Sequence, residues 1–176
     1  MSRVLVLGGA RSGKSTFAES LAAASSEVDY LATSARRPDD AEWQARLALH
    51  IARRPATWQT IETLDVAGEL VRRTSRLLLV DCLTVWLTRQ MDQAGIWDEQ
   101  PGCDAALQSA TDTLVDALAR AQRPVVAVSN EVGQGVVPAT ASGRRFRDEM
   151  GILNSRVAQV VDEVHFCVAG LPWQLK

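Results

Sequence analysis

An α/β fold on a mostly parallel sheet, with helices on both faces, is what this 176-residue sequence predicts. Three observations predict it. Strand-like and helix-like segments alternate along the chain. Two runs, Leu77-Leu78-Leu79-Val80 and Val125-Val126-Ala127-Val128, are continuous aliphatics, the pattern of strands buried on both faces of a parallel sheet. A third β-type run, Arg3-Val4-Leu5-Val6-Leu7, passes into a glycine-containing loop and then into a helical pattern from Thr16. The length fits one domain over residues 1–176 with a sizeable core.

That loop, Gly8-Gly9-Ala10-Arg11-Ser12-Gly13-Lys14-Ser15, fills every fixed position of G-x-x-x-x-G-K-[ST], between the strand and the helix that this motif requires. The residue types follow from the chemistry. Glycines let the backbone curl so that successive N–H groups cradle phosphate oxygens, and the helix N-terminus adds partial positive charge. Lys14 is expected to reach the β- and γ-phosphates, and the Ser15 hydroxyl to ligate Mg²⁺. The sequence therefore predicts a protein that binds a nucleoside triphosphate.

Along the rest of the chain, the first helix is expected to run to about Ala24. Asp29-Tyr30-Leu31-Ala32-Thr33-Ser34 reads as a short strand ending in small polar residues. Ligands gather at the carboxyl ends of strands in open α/β sheets. Ser34 and its successors thus either touch the nucleotide or form a plain turn. Pro38-Asp39-Asp40 has the residues of a helix start, and Ala41 to Arg54 has helical periodicity ended by Pro55. Thr57–Glu62 is a strand and Asp65–Arg73 a short helix. The aliphatic run from Arg76 ends in Asp81, placed either as the Mg²⁺-associated acid or as the cap of the next helix. A helix begins at Cys82 with Trp86 and Leu87 apolar, and 92–102 is a polar loop of lid-like length. Asp104–Arg120 is amphipathic, with Leu107, Leu114 and Leu118 inward. The second buried strand enters a loop, Asn130 to Pro138, at the active edge. A long helix from about Ser142 to Val161 carries Phe146, Met150, Leu153 and Val157 on its core side. Residues 162–170 are expected to close the sheet.

Composition sets limits. Hydrophobic residues make up 47% and charged residues 23%, ordinary for a globular protein, and the net charge of −2 gives no basic field for nucleic acid. Cys82, Cys103 and Cys167 form no CxxC pair, which argues against zinc or a disulfide framework and fits a reducing cytoplasm. No run approaches the apolar length of a membrane span.

Two histidines are candidates for chemistry. His165 lies in an alternating strand between Val164 and Phe166, a structural position. His50 is flanked by Arg46, Arg53 and Arg54 at helical neighbour spacing, a surface that attracts phosphates. A neutral imidazole there can attack phosphorus and form a covalent intermediate; a simple phosphate contact or a solvated histidine is the other reading.

The ordered set GGARSGKS, Ala32-Thr33-Ser34, R-x-x-x-H-x-x-x-R-P from Arg46 to Pro55, Asp81-Cys82-Leu83-Thr84, NEVGQGVVP from Asn130, and R-x-F-R-D-x-x-G-x-x-N ending at Asn154 goes further. It resembles the bifunctional adenosylcobinamide kinase/adenosylcobinamide-phosphate guanylyltransferase family of cobalamin biosynthesis, over nearly the whole chain. The resemblance implies a RecA-like P-loop NTPase fold and a homotrimer. It implies phosphorylation of a corrinoid, adenosylcobinamide, by ATP or GTP, then transfer of GMP from GTP through a guanylyl-histidine. By position His50 and Lys14 are catalytic. Gly8, Gly9, Ala10, Arg11, Ser12, Gly13, Lys14 and Ser15 hold phosphates; Ser34, Ala35, Arg36, Ile51, Ala52, Arg53, Arg54, Glu62 and Asp81 adjoin the nucleotide; Ser15 and Asp81 serve Mg²⁺. Competing readings are another P-loop small-molecule kinase with no covalent step, and a nucleotide-dependent switch or assembly module.

Overall fold

The computed structural model describes residues 2–33 and 54–176. Seven strands form one sheet: β1 (Arg3–Gly8), β2 (Val28–Ala32), β3 (Trp58–Glu62), β4 (Leu77–Asp81), β5 (Val125–Asn130), β6 (Glu163–Val168) and β7 (Leu171–Gln174). Their order is β3-β2-β4-β5-β1-β6-β7. The first six pair in parallel and β7 pairs antiparallel with β6. The helices are α1 (Lys14–Ala22), α2 (Val66–Val71), α3 (Leu83–Ala94), α4 (Cys103–Arg120) and α5 (Ala141–Val160).

The aliphatic runs become strands because every side chain in them meets a core. Successive residues point to opposite faces. Leu5, Leu78, Val80, Val125 and Ala127 enter the larger core, formed with α2 to α5. Val4, Val6, Leu77, Leu79, Val126 and Val128 enter a smaller core with Ala18 and Ala22 of α1. Each fully buried leucine contributes about 1.5–3 kcal/mol through burial, so these central strands fix the sheet. Helix starts follow local rules. Asp65 Oδ1 accepts from Gly68 N at 2.9 Å ahead of α2, and Thr140 Oγ1 accepts from Gly143 N at 3.1 Å ahead of α5.

At the amino ends of the strands, Asp29 sits buried between two arginines. Arg123 Nη2 and Arg76 Nε each donate to its carboxylate at 2.5 Å, and Arg76 reaches Glu27 at 2.9 Å. Burial pushes the Asp29 carboxyl up, but the hydrogen bonds and charges of Arg76 and Arg123 outweigh it and hold it below the usual range. This network staples β2 to the segments leading into β4 and β5.

Three sequence expectations change. The stretch 92–102 is less a lid than a continuation of α3 to Ala94, followed by a one-turn 3₁₀ helix at Ile96–Asp98 whose Ile96 is buried. Residues 162–170 do not close the sheet, because β7 adds an edge beyond β6. The strand expected over 29–34 runs Val28–Ala32. The helix expected over 41–54 lies outside the described residues apart from Arg54, which is in a bend.

Candidate active site

The carboxyl ends of the parallel strands line up. Ala32 is the register partner of both Glu62 and Asp81, and Gly8 is the partner of both Asn130 and Cys167. This edge carries the phosphate loop, Asp81, Glu62 and the Asn130 loop together.

The loop is compressed between neighbours at two of its glycines, Gly8 and Gly13. A Cβ on Gly8 would meet Ser12 Oγ at 2.4 Å and the Cys167 carbonyl oxygen at 2.8 Å. Gly13 has φ +90° and faces Gly170, whose Cα would lie 2.8 Å from an added Cβ. Arg11 also takes a positive φ, 56°, as the backbone reverses. Lys14 opens α1, and no side chain caps this helix, so its first N–H groups are presented at the strand edge. Lys14 Nζ donates to Gly9 O at 3.2 Å across the loop. Ser12 Oγ is buried with no hydrogen-bond partner, as is Asn130 Oδ1 at the neighbouring strand end. Two orphaned polar atoms at one edge are what a ligand would satisfy.

Asp81 ends β4, with β5 between it and β1. Tyr30 OH donates to Asp81 Oδ2 at 2.5 Å. Burial and the adjacent Asp81 charge raise the Tyr30 hydroxyl far above its ordinary range, so it remains a donor at every working pH. The Arg54 guanidinium carbon lies 3.2 Å from the centre of the Tyr30 ring, which joins Arg54 to the same cluster. Thr33 locks the start of the next element: its hydroxyl donates to Cys82 O at 2.8 Å and accepts from Cys82 N at 3.1 Å. Burial beside Asp81 raises the Cys82 thiol, which stays protonated. Asp81 is thus not a helix cap; Cys82 holds the N-cap position of α3 and makes no side-chain cap bond.

The Asn130 loop is tied down from three helices and strands. Glu131 N donates to Gly8 O at 3.1 Å, and Asn130 N donates to Thr84 Oγ1 at 2.8 Å. Asn154 of α5 accepts from Ser129 Oγ at 2.7 Å and donates to Asn130 O at 3.0 Å. Glu131 Oε1 accepts from Gly133 N at 2.5 Å, and Arg147 donates to Gly133 O. Sequence reasoning put Thr33, Thr84, Arg147 and Asn154 inside its motif strings without assigning them this bracing role. Tyr30 and Gly170 carried no signal beyond their place in a strand and a chain ending.

Of the residues expected at the site, Gly8–Ser15, Arg54, Glu62 and Asp81 lie along this edge, with Glu62 on the outermost strand, four strands from the phosphate loop's β1. Ser34, Ala35, Arg36, His50, Ile51, Ala52 and Arg53 lie outside the described residues. His165 behaves as a structural side chain. It is buried, packs edge-on to Phe17 with ring centres 5.1 Å apart, and meets Glu163 at 3.2 Å. Among the described residues no group of three or more His, Cys, Asp or Glu side chains could hold a metal. Mg²⁺ takes one or two protein oxygens and completes its shell with water and substrate phosphates; the Ser15 hydroxyl and the Asp81 carboxylate are two of the oxygen donors on this edge.

A lysine at the first position of its helix, bonded across to its own loop above a parallel sheet, marks the class: this is a P-loop nucleotide-binding protein. Solved structures agree at the level of fold. A prototypical ATPase from the type III secretion system of pathogenic bacteria superimposes with a TM-score of 0.60 at 14% identity, over 98% of this chain and 56% of that one. The assembled ATPase EscN of enteropathogenic E. coli gives 0.57 at 15% identity, over 96% of this chain and 43% of that one. The chain spans about half the length of these ATPases.

Sequence comparison is narrower. Residues 4–175 match the family described as cobinamide kinase / cobinamide phosphate guanyltransferase, and the chain belongs to that family. The bifunctional adenosylcobalamin biosynthesis protein CobP of Pseudomonas aeruginosa is 42% identical over 99% of this chain and 97% of its own. The proteins named CobU of Salmonella typhimurium and Escherichia coli are 38% and 36% identical, each over 98% of this chain and 99% of their own.

Proposed function

We propose that the chain performs both reactions of its family on the one strand edge, with His50 as the covalent nucleophile of the second. In the first reaction, the hydroxyl of adenosylcobinamide attacks the γ-phosphorus of ATP or GTP, and the nucleoside diphosphate leaves. Lys14 and the α1 N-terminus neutralise charge on the transferring phosphates. In the second, a His50 ring nitrogen attacks the α-phosphorus of GTP; a P–N bond forms and pyrophosphate leaves. A phosphate oxygen of adenosylcobinamide phosphate then attacks the same phosphorus, the P–N bond breaks and His50 is regenerated. Mg²⁺, held by Ser15 and Asp81, would supply further charge neutralisation at the phosphates.

The observation that carries this reading is the Arg54–Tyr30–Asp81 cluster. It fastens the chain four residues after His50 to the carboxylate at the phosphate edge. Four residues extend at most about 14 Å, so the cluster supports His50 working at that edge. A homotrimeric assembly in the cytoplasm belongs to the same proposal. Free cysteines fit that compartment, and the exposed Leu171 and Trp173 at the β7 edge are surfaces another copy would cover.

The test is intact-protein mass after incubation with GTP and Mg²⁺ at alkaline pH. A GMP-sized adduct is expected before any corrinoid is added. A phosphoramidate is acid-labile and alkali-stable, so the adduct should vanish in acid and discharge when adenosylcobinamide phosphate arrives. His50→Ala should abolish it while the kinase step persists. An adduct that survives in His50→Ala would overturn the assignment.

A further inference from the structure

The β6–β7 hairpin turns in two residues, Ala169 and Gly170, because Val168 and Leu171 are register partners. Both turn residues have positive φ, 52° and 82°, the geometry of a type I′ turn. Its tip does not point to solvent alone. Gly170 N donates to Ser12 O at 2.9 Å, and the Gly170 Cα lies so close to Gly13 that no Cβ fits there. One residue before the strand ends, the Cys167 carbonyl oxygen closes in on Gly8 in the same way. The phosphate loop is therefore gripped from outside at its first glycine and at its last.

The contact at Ser12 has a directional consequence. In a trans peptide the carbonyl and the following N–H point in opposite directions. Holding the Ser12 carbonyl toward the hairpin turns the Gly13 N–H away from it, into the concave side of the loop where phosphate oxygens are cradled. We propose that the Ala169–Gly170 turn is a positioning element for the phosphate loop: the Gly170 N–H fixes the Ser12–Gly13 peptide and so presets an N–H donor for the nucleotide's phosphates. Gly170 touches no substrate in this role; it acts through Ser12. The inference rests on the loop binding nucleotide and deepens that reading.

Cys167 allows a direct test, because it is a native ligation point three residues before Gly170. A 1–166 thioester joined to synthetic 167–176 gives three full-length chains: the unmodified one, one with glycolic acid replacing Gly170, and Gly170→D-alanine. Glycolic acid swaps the N–H for an ester oxygen and keeps the turn. D-alanine keeps the N–H and favours the positive φ of this turn position. Titration calorimetry with GTP and Mg²⁺ is expected to show an affinity loss on the order of tenfold in the ester, the size of one lost hydrogen bond, and rescue in D-alanine. Thermal unfolding without nucleotide separates positioning from stability. Equal GTP affinity in the ester and unmodified chains, with only a lower unfolding midpoint, would make the turn a mere structural cap and overturn the proposal. Failure of the unmodified chain to bind GTP would instead remove the nucleotide reading beneath it. In the recombinant protein, the Gly170 amide should exchange with deuterium slowly and more slowly still with GTP. Exchange at the rate of an open loop would refute the contact independently.

Discussion

At the scale of single residues, Tyr30 has the clearest assignment that no motif announced. Its hydroxyl occupies one oxygen of Asp81 at 2.5 Å, and its ring carries Arg54. Tyr30→Phe keeps the ring in its buried slot and removes only the donor. The carboxylate then loses the bond that orients it, and outer partners of this kind are worth about 10–100-fold in metal affinity. The Mg²⁺ concentration for half-maximal guanylyl transfer should rise by about tenfold, with the fold intact by circular dichroism. An unchanged Mg²⁺ titration would show that Tyr30 only packs. Asp81 itself was legible from sequence because a carboxylate closing an aliphatic run is a local pattern. Tyr30 was not, since the bond joins residues 51 apart in sequence and leaves no periodicity behind.

At the scale of elements, the strands buried on both faces were legible for the same local reason. Val4–Leu7, Leu77–Val80 and Val125–Val128 need no context to read as central strands. β7 was not legible: all four of its residues are exposed, so Leu-Pro-Trp-Gln shows no alternation, and its existence depends on pairing with β6. The phosphate loop was read as a motif, yet the hairpin above it, which limits what the loop tolerates, could not be. Gly13→Ala measures that limit. The added methyl meets the Gly170 backbone at 2.8 Å and must sit at φ +90°, so neither a rotamer change nor a side-chain shift relieves it. GTP binding by calorimetry should fall by on the order of 10²-fold. Gly9→Ala, which meets nothing within 4 Å, is the matched substitution in the same loop and should cost far less. Equal losses in the two would mean that the loop is not clamped.

At the scale of the whole molecule, the two ends of the sheet divide the work. The residues proposed to carry the chemistry gather at the carboxyl edge, and the Asp29–Arg123–Arg76 network secures the opposite one. Arg123→Ala leaves a buried carboxylate short of one partner. It should cost on the order of 3 kcal/mol of unfolding free energy, the low end for a broken buried pair because Arg76 remains. The Asp29 carboxyl is held below its unfolded value of about 3.9. Its contribution is therefore complete above that value and disappears as pH falls through the lower, folded value. The gap between wild type and Arg123→Ala in urea unfolding should be constant from pH 6 to 8 and narrow below about pH 4. A gap that widened in acid would mean that Asp29 is not the charge being compensated.

The same topology sets a schedule for synthesis. The strand that feeds the phosphate loop is translated first, but its two neighbours in the sheet begin at Val125 and Glu163, and the hairpin tip above it is Gly170. At about 5–20 residues per second, Val4–Leu7 waits many seconds on the ribosome with no neighbour to pair with. A nascent chain arrested after residue 160 should therefore fail to retain GTP on a filter, while the released chain retains it. Retention by the arrested chain would show that the loop can set without its flanking strand. On this schedule the cell gains nucleotide-binding capacity from this protein only after the stretch from Glu163 to Gly170 has been made, and no chain that stops short of it draws on its GTP.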